Sequence, residues 1–294
     1  MAASAPFSFH DVDLGHGVLR IADAGPDDGD ERRAPLVLVH GLSSSHACWS
    51  RAVPHLESGR RVLAPDLPGF GGSDPVGEGF DAAEVAGALS AALRELGADH
   101  VDLVGHSLGG LVATVLADRH PEQVRRLVLA AAAGVDPYKG ARLRVVGDVA
   151  DRFMRLRRRY GPGLVARPRG RALMFAGVVA DPVALAPSDA ELLVRCSHGA
   201  TRTGPALQEA LATDLRPRLA RLTAPVGAVW GEQDRLIPAV ALAELEMVRP
   251  GAPVRTVADA AHVPMVERPE AFARALDGLL EALAHGTDTH VPQS

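Results

Sequence analysis

Val101-Asp102-Leu103-Val104-Gly105-His106-Ser107-Leu108-Gly109-Gly110 is the stretch on which the fold turns. Its first four residues form a short apolar run of strand character that ends at Gly105. From residue 108 to 119 the pattern changes to helical spacing, with Leu108, Leu111, Val112, Val115 and Leu116 recurring on one face. Between the two lies G-x-S-x-G, centred on Ser107. A sharp strand-to-helix turn forces its middle residue into a strained backbone, and flanking glycines remove the Cβ atoms that would collide there. The serine Oγ is lifted above the sheet, and the amides at the start of the helix point at any developing anion. In a chain with 30 glycines the bare pattern arises by chance. Its position between a strand and a helix gives it weight.

The same alternation continues on both sides. Leu36-Val37-Leu38-Val39 reads as a buried strand between Pro35 and His40-Gly41, and Arg61-Val62-Leu63-Ala64 as another that stops at Pro65. Downstream come Leu127-Val128-Leu129-Ala130, Val226-Gly227-Ala228-Val229-Trp230 and Val254-Arg255-Thr256-Val257. Residues 7–14 and 18–23 look like two further strands joined around Gly15 and Gly17. Helical patterns occupy 81–96, where Val85, Leu89, Leu93 and Leu96 precede a Gly97 stop, and also 238–248 and 268–284. Runs this apolar fit strands covered on both faces. The expectation is an α/β fold, a doubly wound, mostly parallel eight-stranded sheet, with ligands beyond the carboxyl ends of its strands.

One segment breaks the rhythm. About ninety residues separate the strand ending near Ala133 from the one starting at Val226, far more than a crossover needs. The reading is a core made of residues 1–135 and 222–285, an inserted helical lid at 136–221 and a disordered tail at 286–294. From Pro137 to Arg221 there are 16 Lys+Arg against 7 Asp+Glu, or +9, which leaves −14 for the rest of a chain of net charge −5. A lid that attracts acidic substrates or a membrane surface would carry such a surplus. So would Arg-rich helix faces turned to solvent.

Composition narrows the function classes. With 47% hydrophobic and 23% charged residues over 294, the chain is ordinary globular material. Net charge −5 and 4% aromatics give neither the electrostatic pull nor the stacking surface of a nucleic-acid binder. The longest apolar stretch, Ala172 to Ala180, is too short to span a bilayer, and the first residues lack the basic and apolar regions of a signal peptide, so a cytoplasmic location is expected. Two distant cysteines, Cys48 and Cys196, make neither a zinc site nor a disulfide framework and read as buried free thiols.

A serine hydroxyl is a weak nucleophile and needs a histidine base held in the correct tautomer by a carboxylate. Asp234 follows the strand at 226–230 and His262 follows the strand at 254–257, so both fall at carboxyl ends, as Ser107 does. Among the twelve histidines the competitors are weaker: His106 lies in the strained turn, His120 at a helix end, His198 inside the lid, and His285 and His290 in the polar tail, so His262, placed just after its strand, is taken as the base. Asp136, after the preceding strand, competes with Asp234, whereas Asp259 reads as a turn residue. Acyl transfer also needs oxyanion donors. The N–H of Leu108 and the N–H of Leu42, in His40-Gly41-Leu42-Ser43, are the candidates.

His40-Gly41-Leu42, Asp66-Leu67-Pro68-Gly69-Phe70-Gly71-Gly72-Ser73, the serine motif, Gly231 to Asp234, and Ala261-His262 followed by Glu267-Arg268-Pro269 together resemble the α/β-hydrolase superfamily, in its lidded esterase- and lipase-like form. The likeness spans roughly residues 7–284 apart from the lid. It implies the order Ser, Asp, His and an acyl-enzyme route to hydrolysis of a small ester with an apolar acyl group. No metal or cofactor, nucleic acid or integral membrane enters that route. Asp66 to Ser73 is read as a structural loop. Ser107 stands where relatives that open epoxides or remove halide carry aspartate, which excludes their mechanism. Two other readings share the scaffold: a C–C bond hydrolase of meta-cleavage type, and a ligand receptor without catalysis. In the lid, Leu143, Phe153, Met154, Leu156, Met174 and Phe175 offer a greasy wall or the lid's own core.

Overall fold

The structure, a computed structural model, describes residues 7–25, 34–57, 59–135, 143–238 and 240–285. Its strands are β1 (Ser8–Asp13), β2 (Val18–Ala24), β3 (Leu36–Val39), β4 (Val62–Pro65), β5 (Val101–His106), β6 (Val124–Ala130), β7 (Val226–Gly231) and β8 (Val254–Val257). They form one eight-stranded sheet in the order β1-β2-β4-β3-β5-β6-β7-β8. β2 pairs antiparallel with both β1 and β4, and every other pairing is parallel. This is the expected α/β architecture.

β3, β4, β5 and β7 are buried at every position, as strands covered on both faces must be. Successive residues serve opposite faces. Val37 and Val39 of β3 join one core cluster, while Leu36 and Leu38 join the other. β5 and β6 extend beyond their apolar runs by two residues or more. β5 runs on through Gly105 and His106 because both pair with the end of β6. β6 begins at Val124, three residues before its apolar run at Leu127. Its extra residues include Arg126, whose Nε and Nη2 donate to Asp102 Oδ1 and Oδ2 at 2.7 and 2.8 Å.

α1 (Ala82–Glu95) starts where Asp81 Oδ1 accepts from Ala83 N and Glu84 N at 2.7 and 3.0 Å. α2 (Leu108–Arg119) follows the serine turn and is buried from Leu108 to Ala117. Between β6 and β7 lie α3 (Leu143–Val165), α4 (Pro168–Phe175), α5 (Pro187–Cys196), α6 (Thr203–Ala212) and α7 (Arg216–Arg221), called the insertion below. α8 (Val240–Val248), α9 (Pro264–Glu267) and α10 (Pro269–His285) complete the chain as described. α1 and α2 cover one face of the sheet, and α10 with Trp49 covers the other.

The insertion shares that second cluster: Met174, Phe175, Leu192 and Cys196 pack in it with Cys48 and Trp49. Both cysteines are buried free thiols, as expected, and burial pushes the Cys196 thiol up to about 11. Met154, Met174 and Phe175 are buried, whereas Phe153 and Leu156 are about half exposed (49% and 51%), so the apolar residues of this segment divide between core and surface. The side chain of Leu143, and also Asp136 and the tail at 286–294, lie outside the described residues.

Much of the insertion's positive charge has internal partners. Arg158 donates to the Ala200 carbonyl at 2.8 Å, and Arg171 to those of Val165 and Val183 at 3.0 and 2.9 Å. Arg216 pairs with Asp214 and Glu244, and Arg218 and Arg221 both pair with Asp118. Arg158 and Arg171 satisfy backbone carbonyls, a structural use that substrate attraction does not anticipate, while Arg216 and Arg221 form ion pairs on the surface.

Candidate active site

Ser107 occupies the turn between β5 and α2 with φ 53° and ψ −118°, a region an L-residue enters only under constraint. The constraint comes from close packing around it. A Cβ on Gly105 would lie 2.4 Å from the Gly109 carbonyl oxygen, and one on Gly109 would lie 2.4 Å from that of Val39. A Cβ on Gly110 would meet Ala132 Cβ at 2.4 Å. The glycines therefore let α2 press onto the ends of β3 and β5. Ser107 N donates to the Ala130 carbonyl at 3.0 Å, and its own carbonyl accepts from Gly110 N and Ala133 N at 2.9 and 3.0 Å.

His262 and Asp234 meet directly. Nδ1–H of His262 donates to Asp234 Oδ2 at 2.9 Å, and both residues are buried. The other oxygen, Asp234 Oδ1, accepts from Leu236 N and Ile237 N at 2.9 and 3.0 Å. The two loops approach because the chain has no Cβ at residue 231: one placed there would lie 1.9 Å from the Ala261 carbonyl oxygen. Gln233 N and Glu232 N bind the carbonyls of Ala260 and Val257 at 2.9 and 3.0 Å, which fixes one loop against the other. Asp259 holds a turn at φ 53°, as expected of a turn residue.

His106, the residue before Ser107, lies against this pair. Its ring is 4.9 Å from the ring of His262, centroid to centroid. The structure shows no Ser107–His262 hydrogen bond, and neither Ser107 Oγ nor His262 Nε2 has a side-chain partner among the described residues. Such hydrogen bonds commonly tighten only when substrate is bound. The oxyanion candidates are also close. A Cβ on Gly41 would lie 3.0 Å from Ser107 Cβ and 2.8 Å from His106 Nδ1, so the His40–Ser43 loop passes against the serine. The Leu108 N–H is the first of α2, and neither it nor the Leu42 N–H binds a carbonyl among the described residues.

Three supporting side chains carry roles that composition and spacing do not reveal. His40 is fully buried; its Nδ1–H donates to the Gly41 carbonyl at 2.8 Å and its Nε2 accepts from Leu67 N at 2.9 Å. Burial holds its pKa below the usual histidine value despite the nearby Asp66 carboxylate, which keeps the ring neutral in this bridge. His106 donates from Nε2–H to the His262 carbonyl at 2.7 Å, and burial, helped by the neighbouring His262, lowers its pKa to about 3. Glu267 accepts from the amides on either side of His262, Ala261 N at 2.9 Å and Val263 N at 3.3 Å. Burial raises its carboxyl above the usual range against the pull of these amides. All three stand in motifs that carry the family resemblance, yet the sequence does not show which backbone groups they bind.

The loop read as structural behaves so. Burial pushes the Asp66 carboxyl up, but the rings of His46 and His40 and the His46 amide outweigh it, and the group stays below the usual carboxylate range. Its oxygens accept from His46 N at 2.7 Å and Gly72 N at 2.8 Å. Among the described residues no group of three or more His, Cys, Asp or Glu side chains is placed to hold a metal ion, and no helix is long and apolar enough to cross a membrane.

Known proteins resemble this chain along most of its length. A pimeloyl-[acyl-carrier protein] methyl ester esterase of Aromatoleum aromaticum is 34% identical over 251 residues, 81% of this chain and 94% of that protein. A 2-hydroxymuconate semialdehyde hydrolase of a Pseudomonas species is 42% identical over 105 residues, covering 34% of this chain and 37% of that protein. Among solved structures, a membrane phospholipase A described as a bacterial virulence factor superposes with a TM-score of 0.70 at 27% identity, covering 95% of this chain and 87% of its own. The family model for the alpha/beta hydrolase fold matches residues 34–269, and the chain belongs to that family of hydrolases.

Proposed function

We propose that this hydrolase cleaves carboxylic esters through a Ser107–His262–Asp234 triad. The observation that carries the reading is a strained serine turn beside a buried histidine already bonded to a carboxylate. With Nδ1–H committed to Asp234, the histidine's free nitrogen is Nε2, the atom a general base requires. Nε2 takes the Ser107 proton as Oγ attacks the acyl carbon. The N–H groups of Leu42 and Leu108 receive the oxyanion. The imidazolium then protonates the leaving alcohol, and the same nitrogen activates water to release the acid. Asp234 orients the ring and balances its transient positive charge. The helical insertion at 136–221 serves as the lid, and the substrate is a small ester with an apolar acyl group. No metal or cofactor takes part in these steps.

Replacing Ser107 by Ala lowers turnover of a short-chain aryl ester by at least ~10³-fold, the usual loss when a triad member goes. An unchanged rate in that variant removes the mechanism. A second reading, C–C cleavage of an acidic diketone-type compound, rests on the likeness of 105 residues to the semialdehyde hydrolase. Assaying such a compound beside an ester, lactone and thioester panel separates the two by which class turns over fastest.

A further inference from the structure

We infer that Glu267 is a positioning residue that ties the backbone around His262 to the 178–180 turn of the insertion, so that the base is held in its working orientation while that turn is seated. The inference rests on the triad reading above and adds to it a route from the insertion to the base.

Four hydrogen bonds define the tie. Glu267 Oε1 takes the N–H groups of Ala261 and Val263, while Oε2 takes that of Ala180 at 2.7 Å. His262 N donates to the Val178 carbonyl at 3.0 Å. Each amide from 261 to 263 is therefore committed, one to the insertion and two to the carboxylate that also holds the insertion. Glu267 touches no atom of the imidazole; it acts through backbone.

The turn follows α4 directly. It leaves α4 through Gly177 at φ 78°, a left-handed conformation that favours glycine. On its other side is a cavity of about 210 Å³ lined by Val179 and Ala180 together with Gln233 and Arg235. Those last two flank Asp234, so one turn of the insertion adjoins both members of the carboxylate–imidazole pair. Only a carboxylate offers acceptors toward both sides at once; an amide in its place turns an NH₂ toward one of the three N–H groups.

Glu267→Gln separates the two halves of the tie. It keeps an oxygen toward Ala261 and Val263 and sets an NH₂ against the Ala180 N–H. In the full-length protein, amide hydrogen exchange at Ala180 rises at least tenfold while Ala261 and Val263 stay protected. The kcat for the aryl ester falls about ten- to a hundredfold, as small misplacements of a catalytic group do, with KM changed less than twofold and the melting midpoint still above assay temperature. If the variant does not fold, Ala180→Pro removes the same donor with Glu267 intact and gives the same loss of kcat. Unchanged exchange at Ala180, or raised exchange with wild-type kcat, overturns the inference. Ser107→Ala run in parallel keeps the two ideas apart. If it is inactive while Glu267→Gln is not slowed, the positioning role fails and the ester reading stands. If it retains wild-type turnover, the ester reading fails, and the exchange data alone decide whether the tie exists.

Discussion

A φ of 53° at a non-glycine residue costs on the order of 1–3 kcal/mol, and Ser107 is held there by glycines that let two strands and a helix crowd around it. The histidine before it supplies a second constraint. His106 stays neutral when buried, with a pKa of about 3, while in the unfolded chain it protonates near its ordinary 6.5. The lowered folded value fixes the sign. The unfolded state binds the extra proton between pH 6.5 and about 3, so the contribution to stability is complete above 6.5 and is lost as pH falls through that window. His106→Gln, which can still donate to the His262 carbonyl, is expected to flatten the decline of unfolding free energy between pH 6.5 and 4.5 by up to about 1.4 kcal/mol per pH unit. Urea melts of both proteins across that range test it, and parallel slopes contradict it. The positions of Ser107, Asp234 and His262 beyond strand ends are legible in the sequence because each follows a strand that announces itself. The part played by His106 is not, because its partner is a backbone carbonyl 156 residues away, and no side-chain pattern marks a carbonyl.

Elements were legible where burial alone set their composition. β3 occupies the residues its apolar run marks, 36–39, and α2 occupies the residues its helical spacing marks, 108–119. β6 shows the opposite case. Its first three residues, Val124 to Arg126, precede the apolar run, and Arg126 binds a buried carboxylate on the neighbouring strand. Ion pairing between strands overrides the apolar signal there, and one strand's sequence does not contain the other's charge. The start of α1 is set by local chemistry. Asp81 satisfies two of the orphan amides of the first turn. Asp81→Ala is expected to lower unfolding free energy by about 0.5–2 kcal/mol with an unchanged denaturant slope. A loss below a few tenths would place the start of α1 under tertiary control.

Across the whole molecule, Asp102 joins parts distant in sequence. Fully buried at the start of β5, it binds Arg60 and Arg126, and Arg126 Nη1 continues to the Leu280 carbonyl in α10 at 2.5 Å. Burial lowers the Arg60 pKa against the pull of Asp102, so the carboxylate is what makes two guanidinium groups tolerable there. Asp102→Asn leaves both cations underneutralised and is expected to cost about 3–5 kcal/mol in equilibrium unfolding. A smaller loss than that for Asp81→Ala would mean that solvent reaches the cluster. The internal arrangement of the helices between β6 and β7 is not legible, because Arg158 and Arg171 close on backbone carbonyls, which no sequence pattern displays.

Gly177 to Ala180, bonded through Val178 and Ala180 to the chain around His262, also sets a rule for recombination. A chimaera that borrows helices from a homologue but retains this short clasp inherits a docked junction. One whose crossover points discard it must reinvent an amide donor and a carbonyl at matching heights, so splice sites placed outside the clasp should yield the functional hybrids.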